Sequence, residues 1–153
     1  AVRYSRIKGH RVLSVDYRVA PEHPYPAAFQ DALEAYRWLL YSGFTGDRII
    51  LAGDSAGGGL VLALAMYLRD QGKPLPQQLI MMSTWTDLAA SGPGSLEMLL
   101  SDSVVAAEKA KKAGCDVTLT VYPEMFHVFQ LSMDKLAESR EAWEEIRRFL
   151  RKE

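Results

Sequence analysis

The sequence is poor in cysteine: Cys115 is the only one among 153 residues, so no disulfide can form within the chain. Disulfides are rare in reducing compartments, and their absence is typical of cytoplasmic proteins, so we expect a cytoplasmic location. Cys115 stands between a glycine and an aspartate with no candidate partner, and we interpret it as a bystander rather than a reactive thiol.

The sequence also lacks an excess of charge and a long apolar run. A formal net charge of −1 gives no electrostatic attraction to nucleic acid or to an anionic membrane surface. No apolar stretch reaches the ~18 residues that a membrane-spanning helix needs. We therefore expect a small molecule as the partner, and neither nucleic acid nor a membrane span. Association into a homo-oligomer stays open.

The remaining composition is ordinary for one globular domain, with 48% hydrophobic and 24% charged residues. Short apolar runs alternate with segments of helical periodicity, which predicts a mostly parallel sheet flanked by helices, an α/β fold. The predicted strands are residues 11–17, 49–53, 79–82 and 117–121. The predicted helices are residues 27–41, 56–70, 102–114 and 136–150. We treat residues 1–153 as a single domain.

The most informative segment is GDSAGG at residues 53–58, a Gly-x-Ser-x-Gly pattern between a predicted strand and a predicted helix. This context is typical of a nucleophile elbow and predicts that Ser55 is a catalytic nucleophile on a strained backbone. Gly53 and Gly57 are predicted to remove side chains that would clash in so sharp a turn. The helix N-terminus favours negative charge, so the Ala56 N–H is the predicted oxyanion donor. The alternative is an inert serine that caps a glycine-rich helix.

A serine hydroxyl needs a base within hydrogen-bond reach, and the sequence has only three histidines. His10 precedes the first predicted strand, and His23 lies in a proline-rich turn. His127 follows the last predicted strand, at the carboxyl end where catalytic groups gather in open α/β sheets. It also follows the serine in chain order, as in α/β-hydrolases. We therefore predict that His127 is the general base; the alternative is a core or surface histidine.

Several stretches together resemble the bacterial hormone-sensitive-lipase family of α/β-hydrolase esterases. They are DYR at 16–18, APEHP at 20–24, the GDSAGG segment, WTDL at 85–88, and Met125 with HVFQ at 127–130. The resemblance implies an α/β-hydrolase fold, hydrolysis of short-chain acyl esters through an acyl-enzyme intermediate, and no metal ion or organic cofactor. It also implies that Asp16, Arg18 and Glu22 are structural residues that fix the turn beside the active site.

The same resemblance places the triad acid within residues 94–102, where Glu97 aligns with the acid position. This acid holds the imidazole in one tautomer and stabilises the imidazolium that forms during attack. Asp102 is the rival, although its position is that of an expected helix N-cap. Trp85 either lines the acyl pocket or packs in the core.

Two parts of the family pattern are missing. One is the His-Gly-Gly-Gly segment that supplies most of the oxyanion hole, which is absent before residue 11. The other is part of the cap together with the strand that leads into the acid, which is absent near residues 91–94. Because neighbouring strands lie about 4.8 Å apart, each missing strand is expected to leave a slot of roughly 10 Å in the sheet.

In the family's sheet, one missing strand lies between residues 11–17 and 49–53, and the other lies between residues 79–82 and 117–121. We therefore expect that the sequence joins pieces of a longer protein, with a junction within residues 87–95. A start at alanine rather than methionine gives the same expectation. The alternatives to an active esterase are a hydrolase fragment without a competent site, or an amidase, lyase or ligand receptor on the same fold.

Overall fold

The computed structural model of the chain describes residues 2–7, 9–84 and 96–151. The elements in chain order are α1 (Val2–Ser5), α2 (Ala27–Tyr41), a 3₁₀ helix (Gly46–Arg48), β1 (Ile50–Asp54), α3 (Ala56–Asp70), β2 (Gln78–Met82), α4 (Leu96–Lys112), a second 3₁₀ helix (Phe129–Lys135) and α5 (Ala137–Phe149).

A parallel pair of strands forms the centre of the fold. β1 and β2 pair in a register that runs from Ile50 opposite Gln78 to Asp54 opposite Met82. Helix α3 connects them, as a parallel pair requires a crossover. The predictions of strands at residues 49–53 and 79–82 are confirmed within one residue at each end, and so is the parallel α/β architecture.

One face of the strand pair is covered by α2 and α3, whose bounds match the predicted helices. Their buried side chains, together with Ile49, form one apolar cluster: Leu33, Tyr36, Leu64 and Leu68. Burying each large side chain contributes about 1.5–3 kcal/mol to stability. The buried Tyr36 hydroxyl donates a hydrogen bond to the Pro74 carbonyl at 2.9 Å, so its polar atom has a partner. Gly43, at a φ of 89°, follows the end of α2, and glycine adopts this conformation without strain.

The other face is covered by α1 and α5. Ile80 and Met82 of β2 pack there with Ile7, Trp143 and Leu150. The Tyr4 ring meets the Trp143 ring edge to face, with centroids 5.1 Å apart. The two strands thus lie between two helical layers, which is the layered arrangement of an α/β domain.

The turn before α2 is held by an ion pair. The Arg18 guanidinium lies 2.7 Å from the Asp31 carboxylate on α2, and the Arg18 N–H donates to the same carboxylate at 2.9 Å. These hydrogen bonds lower the pKa of Asp31 to about 2. Arg18 thus joins the turn to α2. Such a contact is what the family resemblance implies for a structural residue.

Two of the predicted strands are wrong. Residues 11–17 and 117–121 belong to no ladder in the part of the chain that the structure describes. Most of their apolar side chains are exposed, for example Leu13 at 49% and Val121 at 46% of full exposure. A strand takes its backbone hydrogen bonds from its neighbours, and the neighbours that the family places beside both segments are missing from this sequence.

A cavity of about 140 Å³ lies beside β2. Residues 79–82 line it together with Thr118, Thr120 and Tyr122, and α5 contributes further lining side chains. The Thr120 and Tyr122 hydroxyls both hydrogen-bond to the Glu145 carboxylate of α5. The cavity therefore lies at the place in the sheet where the sequence predicts a missing strand.

The start of α4 also differs from the prediction. The helix was expected from residue 102 but begins at Leu96. The intervening LEMLL residues include strong helix formers, which extend the helix towards its N-terminus. Asp102 consequently lies inside α4, and its predicted position at the N-cap is wrong.

Hydrogen exchange tests whether the two segments are unpaired in solution. We expect slow amide exchange in α3 and in the β1–β2 ladder, and exchange at loop rates in residues 11–17 and 117–121, because ladder hydrogen bonds protect amides. The measurement is deuterium uptake by mass spectrometry of the intact chain. Protection of both segments at the level of β1 would mean that the strands have paired anew, and would contradict the account of missing strands.

Candidate active site

Ser55 lies in the turn between the end of β1 and the start of α3. Its backbone has a φ of 53° and a ψ of −121°, in the positive-φ region that residues other than glycine rarely enter. Such a conformation costs on the order of 1–3 kcal/mol and persists only where its surroundings fix it. The Ser55 N–H donates to the Met82 carbonyl at 2.9 Å, and its carbonyl accepts from the Gly58 N–H at 3.1 Å. The predicted strained turn is thus present.

The glycines around Ser55 differ in how much space a side chain would have. A Cβ added at Gly53 would stand 2.3 Å from the Gly57 carbonyl oxygen, a clash with backbone that cannot move aside. At Gly57 a Cβ would meet only the Tyr17 hydroxyl, at an ordinary 3.8 Å. The predicted clash is therefore present for Gly53 and wrong for Gly57. Gly58 is the second tight position, because its Cβ would stand 2.5 Å from the buried Thr84 Oγ1.

The side chain of Ser55 faces His127 rather than its own helix. The His127 Nε2 and the Ser55 Oγ are 2.8 Å apart, within hydrogen-bond distance. Ser55 makes no side-chain capping bond to α3, so the alternative of a simple helix-capping serine does not fit. Within the described residues, the structure therefore brings together the nucleophile and the base that the sequence predicts.

Two contacts hold the segment that carries His127. The next residue, Val128, is left-handed (φ 55°, ψ 34°), which is rare for a β-branched residue, and its N–H donates to the Ser83 Oγ at 3.0 Å. Further along, the Gln130 carbonyl accepts from the Ser139 hydroxyl and from the Trp143 indole N–H, both at 2.9 Å. Sequence reasoning missed Ser83, since one serine after a strand has no motif that distinguishes it.

Ala56 is the first residue of α3, where a backbone N–H has no acceptor earlier in the helix. Ala56 is exposed and no acidic residue lies in the first turn, so the partial positive charge of this 15-residue helix is not neutralised from within it. The Ala56 N–H lies at this helix start, and its role as the oxyanion donor stays a prediction.

The structure does not test the remaining predicted site residues. Glu97 is the second residue of α4, and of this part of the helix only the backbone is described. The same holds for Asp102. Trp85 and the suspected junction within residues 87–95 lie outside the described residues. The roles of Glu97, Asp102 and Trp85 stay predictions.

Among the residues that the structure describes, no three histidine, cysteine, aspartate or glutamate side chains gather as a metal site would require. None of the described helices is both long enough and apolar enough to cross a membrane.

Comparison with known proteins gives a family match over much of the chain. Residues 2–96 match a family model described as an α/β hydrolase fold. An acetyl-hydrolase from Streptomyces hygroscopicus is 35% identical, over 94% of this chain and 65% of its own length. An esterase from Acinetobacter venetianus is 29% identical, over 91% of this chain and 63% of its own length. The chain thus spans slightly less than two thirds of the length of these relatives.

Solved structures give the same picture. An esterase from the bacterial hormone-sensitive lipase family is 35% identical, with a TM-score of 0.87 over 98% of this chain and 68% of that one. EstE5, crystallised and soaked with p-nitrophenyl butyrate, is 33% identical with a TM-score of 0.88 over 97% of this chain and 68% of that one. The described arrangement of helices and strands is therefore that of a larger α/β-hydrolase.

The contrast between Gly53 and Gly57 is testable. We expect Gly53→Ala to lower the free energy of unfolding by about 3 kcal/mol or more, because the new methyl group meets backbone. Gly57→Ala is the matched control; it should be neutral or stabilising by up to about 1 kcal/mol, since alanine favours a helix over glycine. Urea unfolding of the two variants measures both values. Equal losses would show that the turn is not packed as described.

Proposed function

This chain belongs to the bacterial hormone-sensitive-lipase family of α/β-hydrolases, and on that basis we propose that it is the nucleophile-bearing part of a serine carboxylesterase. The observation that carries the proposal is the 2.8 Å approach of the His127 Nε2 to the Ser55 Oγ at a strained strand-to-helix turn. Names of related proteins support the reaction class, since they include esterases and an acetyl-hydrolase.

The proposed reaction has two steps. In acylation, the Ser55 Oγ attacks the ester carbonyl carbon while His127 Nε2 takes the hydroxyl proton, and that proton then passes to the departing alcohol oxygen. In deacylation, His127 takes a proton from water, the hydroxide attacks the acyl-enzyme carbonyl, and the carboxylic acid leaves as Ser55 regains its proton. No metal ion or organic cofactor takes part in this proposal.

Charge stabilisation is the weak part of the site. The Ala56 N–H, at the start of α3, is the proposed oxyanion donor on this chain. The His-Gly-Gly-Gly segment that would supply most of the other donors is absent from the sequence. Losing one such donor costs about 2.7–4 kcal/mol, or 10²–10³ in rate. We therefore propose that residues 1–153 by themselves hydrolyse esters much more slowly than a complete relative, and the absence of any turnover by these residues is the alternative to this proposal.

We also propose that the sequence joins two parts of a longer protein within residues 87–95. The match to the acetyl-hydrolase runs over 195 residues, more than the 153 residues of this chain, so that relative has internal residues without a counterpart here. The cavity beside β2 and the unpaired residues 117–121 support the same proposal. A strand between β2 and residues 117–121 would fill the cavity and would pair with residues 117–121.

The proposed substrate is a small ester with a short acyl chain, and Trp85 is a proposed wall of the acyl pocket. The acetyl group in one relative's name and the p-nitrophenyl butyrate soaked into EstE5 support this size class. A cytoplasmic location and a possible homo-oligomer stay predictions.

The serine assignment is tested with a chromogenic ester. We expect slow release of p-nitrophenol from p-nitrophenyl butyrate by the unmodified chain, and release at the uncatalysed rate by Ser55→Ala, because the nucleophile is gone. The free energy of unfolding, measured by thermal denaturation, should change by less than about 0.5 kcal/mol in this variant. Ser42→Ala, at an exposed serine after α2, is the matched control and should keep full turnover. Retained turnover in Ser55→Ala would show that Ser55 is not the nucleophile.

The acid is tested by paired amide substitutions. Glu97→Gln should lower kcat by about 10²–10⁴ with little change in KM, because the amide cannot stabilise the imidazolium. Asp102→Asn should change kcat by less than about threefold, since we assign it no catalytic part. Steady-state kinetics of both variants decide between the two carboxylates. The reverse pattern would make Asp102 the acid and leave the reaction class unchanged.

A further inference from the structure

We propose that Ser83 is a positioning residue of this site, and that its hydroxyl sets the direction in which His127 approaches Ser55. The inference rests on the proposed function, in which His127 is the base. It concerns a residue that has no place in the Gly-x-Ser-x-Gly motif or in the triad.

The end of β2 is a common support for the nucleophile and the base. The Met82 carbonyl accepts the Ser55 N–H at 2.9 Å, and the Ser83 Oγ accepts the Val128 N–H at 3.0 Å. These two acceptors belong to consecutive residues. The Ser55 backbone and the Val128 backbone are therefore both held by the short segment Met82–Ser83 at the end of β2, which limits the distance between them.

The bond to Val128 acts directly on the His127 side chain. The Val128 N–H lies in the same planar peptide unit as the His127 carbonyl, so the hydrogen bond holds the peptide unit to which the His127 Cα is attached. The position of this unit limits where the Cβ and the imidazole of His127 can lie. The 2.8 Å distance from Nε2 to the Ser55 Oγ thus depends on a hydrogen bond one residue away.

The backbone conformations of Ser83 and Val128 indicate that the hydrogen bond between them is a specific feature of the fold. Ser83 has a φ of 46° and Val128 a φ of 55°, so both partners of the hydrogen bond are left-handed non-glycine residues. Strained residues of this kind persist where their surroundings fix them, and they cluster at functional sites. The strain at Ser83 also has a local reason: the next residue, Thr84, is buried against Gly58 in the first turn of α3.

The other support of the same loop does not replace Ser83. Ser139 and Trp143 hold the Gln130 carbonyl, which lies three residues beyond His127. Between His127 and Gln130 the chain has several rotatable backbone bonds, so this support holds the loop without setting the His127 ring. Among the described contacts, the one from Ser83 is made to the peptide unit adjoining His127.

The first test is the reactivity of Ser55 towards phenylmethylsulfonyl fluoride, with the intact chain. Ser83→Ala removes the acceptor, and we expect the labelling rate to fall by about 10–10²-fold, since a misplacement of about 1 Å can cost 10²-fold. Ester kinetics should show the loss in kcat with KM nearly unchanged. Ser83→Gly also lacks the hydroxyl but accepts a positive φ without strain. An equal loss in Ser83→Gly assigns the effect to the hydrogen bond, whereas labelling at the parent rate in Ser83→Gly would overturn it. Ser42→Ala is the control and should label at the parent rate.

The second test does not depend on turnover. The ¹⁵N chemical shifts of the His127 ring report which nitrogen carries the proton and whether Nε2 has a hydrogen-bond partner. We expect Ser83→Ala to move these shifts towards those of Ser55→Ala, because both changes remove the same contact to Nε2. Parent shifts in Ser83→Ala would overturn the inference even if the chain hydrolyses esters. A parent chain that does not label at all would count against the proposed function alone, and the ring shifts would still decide the role of Ser83.

Discussion

The hydrogen bond from the Ser55 N–H to the Met82 carbonyl is the contact on which the site depends. It continues the β1–β2 ladder one residue beyond its last register pair, Asp54 opposite Met82. The strand pair therefore determines where the strained turn begins, and α3 determines where it ends. Gly53 makes this possible, because the backbone of the turn approaches it to a distance that no side chain would tolerate. The apolar layers on both faces of the strands hold this support in place.

The chemistry follows from how the turn presents Ser55. Its hydroxyl makes no capping bond to α3 and lies within hydrogen-bond distance of His127, and α3 begins at the next residue. Ser55 follows the end of β1, whereas His127 lies 72 residues further along the chain, in a loop that follows neither paired strand. The proposed catalyst therefore depends on a contact between distant parts of the chain, and the Ala56 N–H is its proposed oxyanion donor.

The sequence was sufficient where structure is local. Both α2 and α3 have the predicted bounds, because apolar periodicity and the glycines after them are local signals. The strands at residues 11–17 and 117–121 failed because a strand depends on partners that lie elsewhere in the chain. The site followed the same rule: Ser55 has a motif and His127 a position, whereas Ser83 has neither. Its role arises only when β2 and the histidine loop meet in space.

The central claim is that Ser55 forms a covalent acyl intermediate on this chain. The most direct measurement is peptide-mapping mass spectrometry after mixing the chain with p-nitrophenyl butyrate and stopping the reaction in acid. We predict a butyryl group on the peptide that contains Ser55, and the loss of this group when His127 is replaced by alanine. Ester turnover without any adduct on Ser55, or with the butyryl group on another nucleophile such as Cys115, would contradict it.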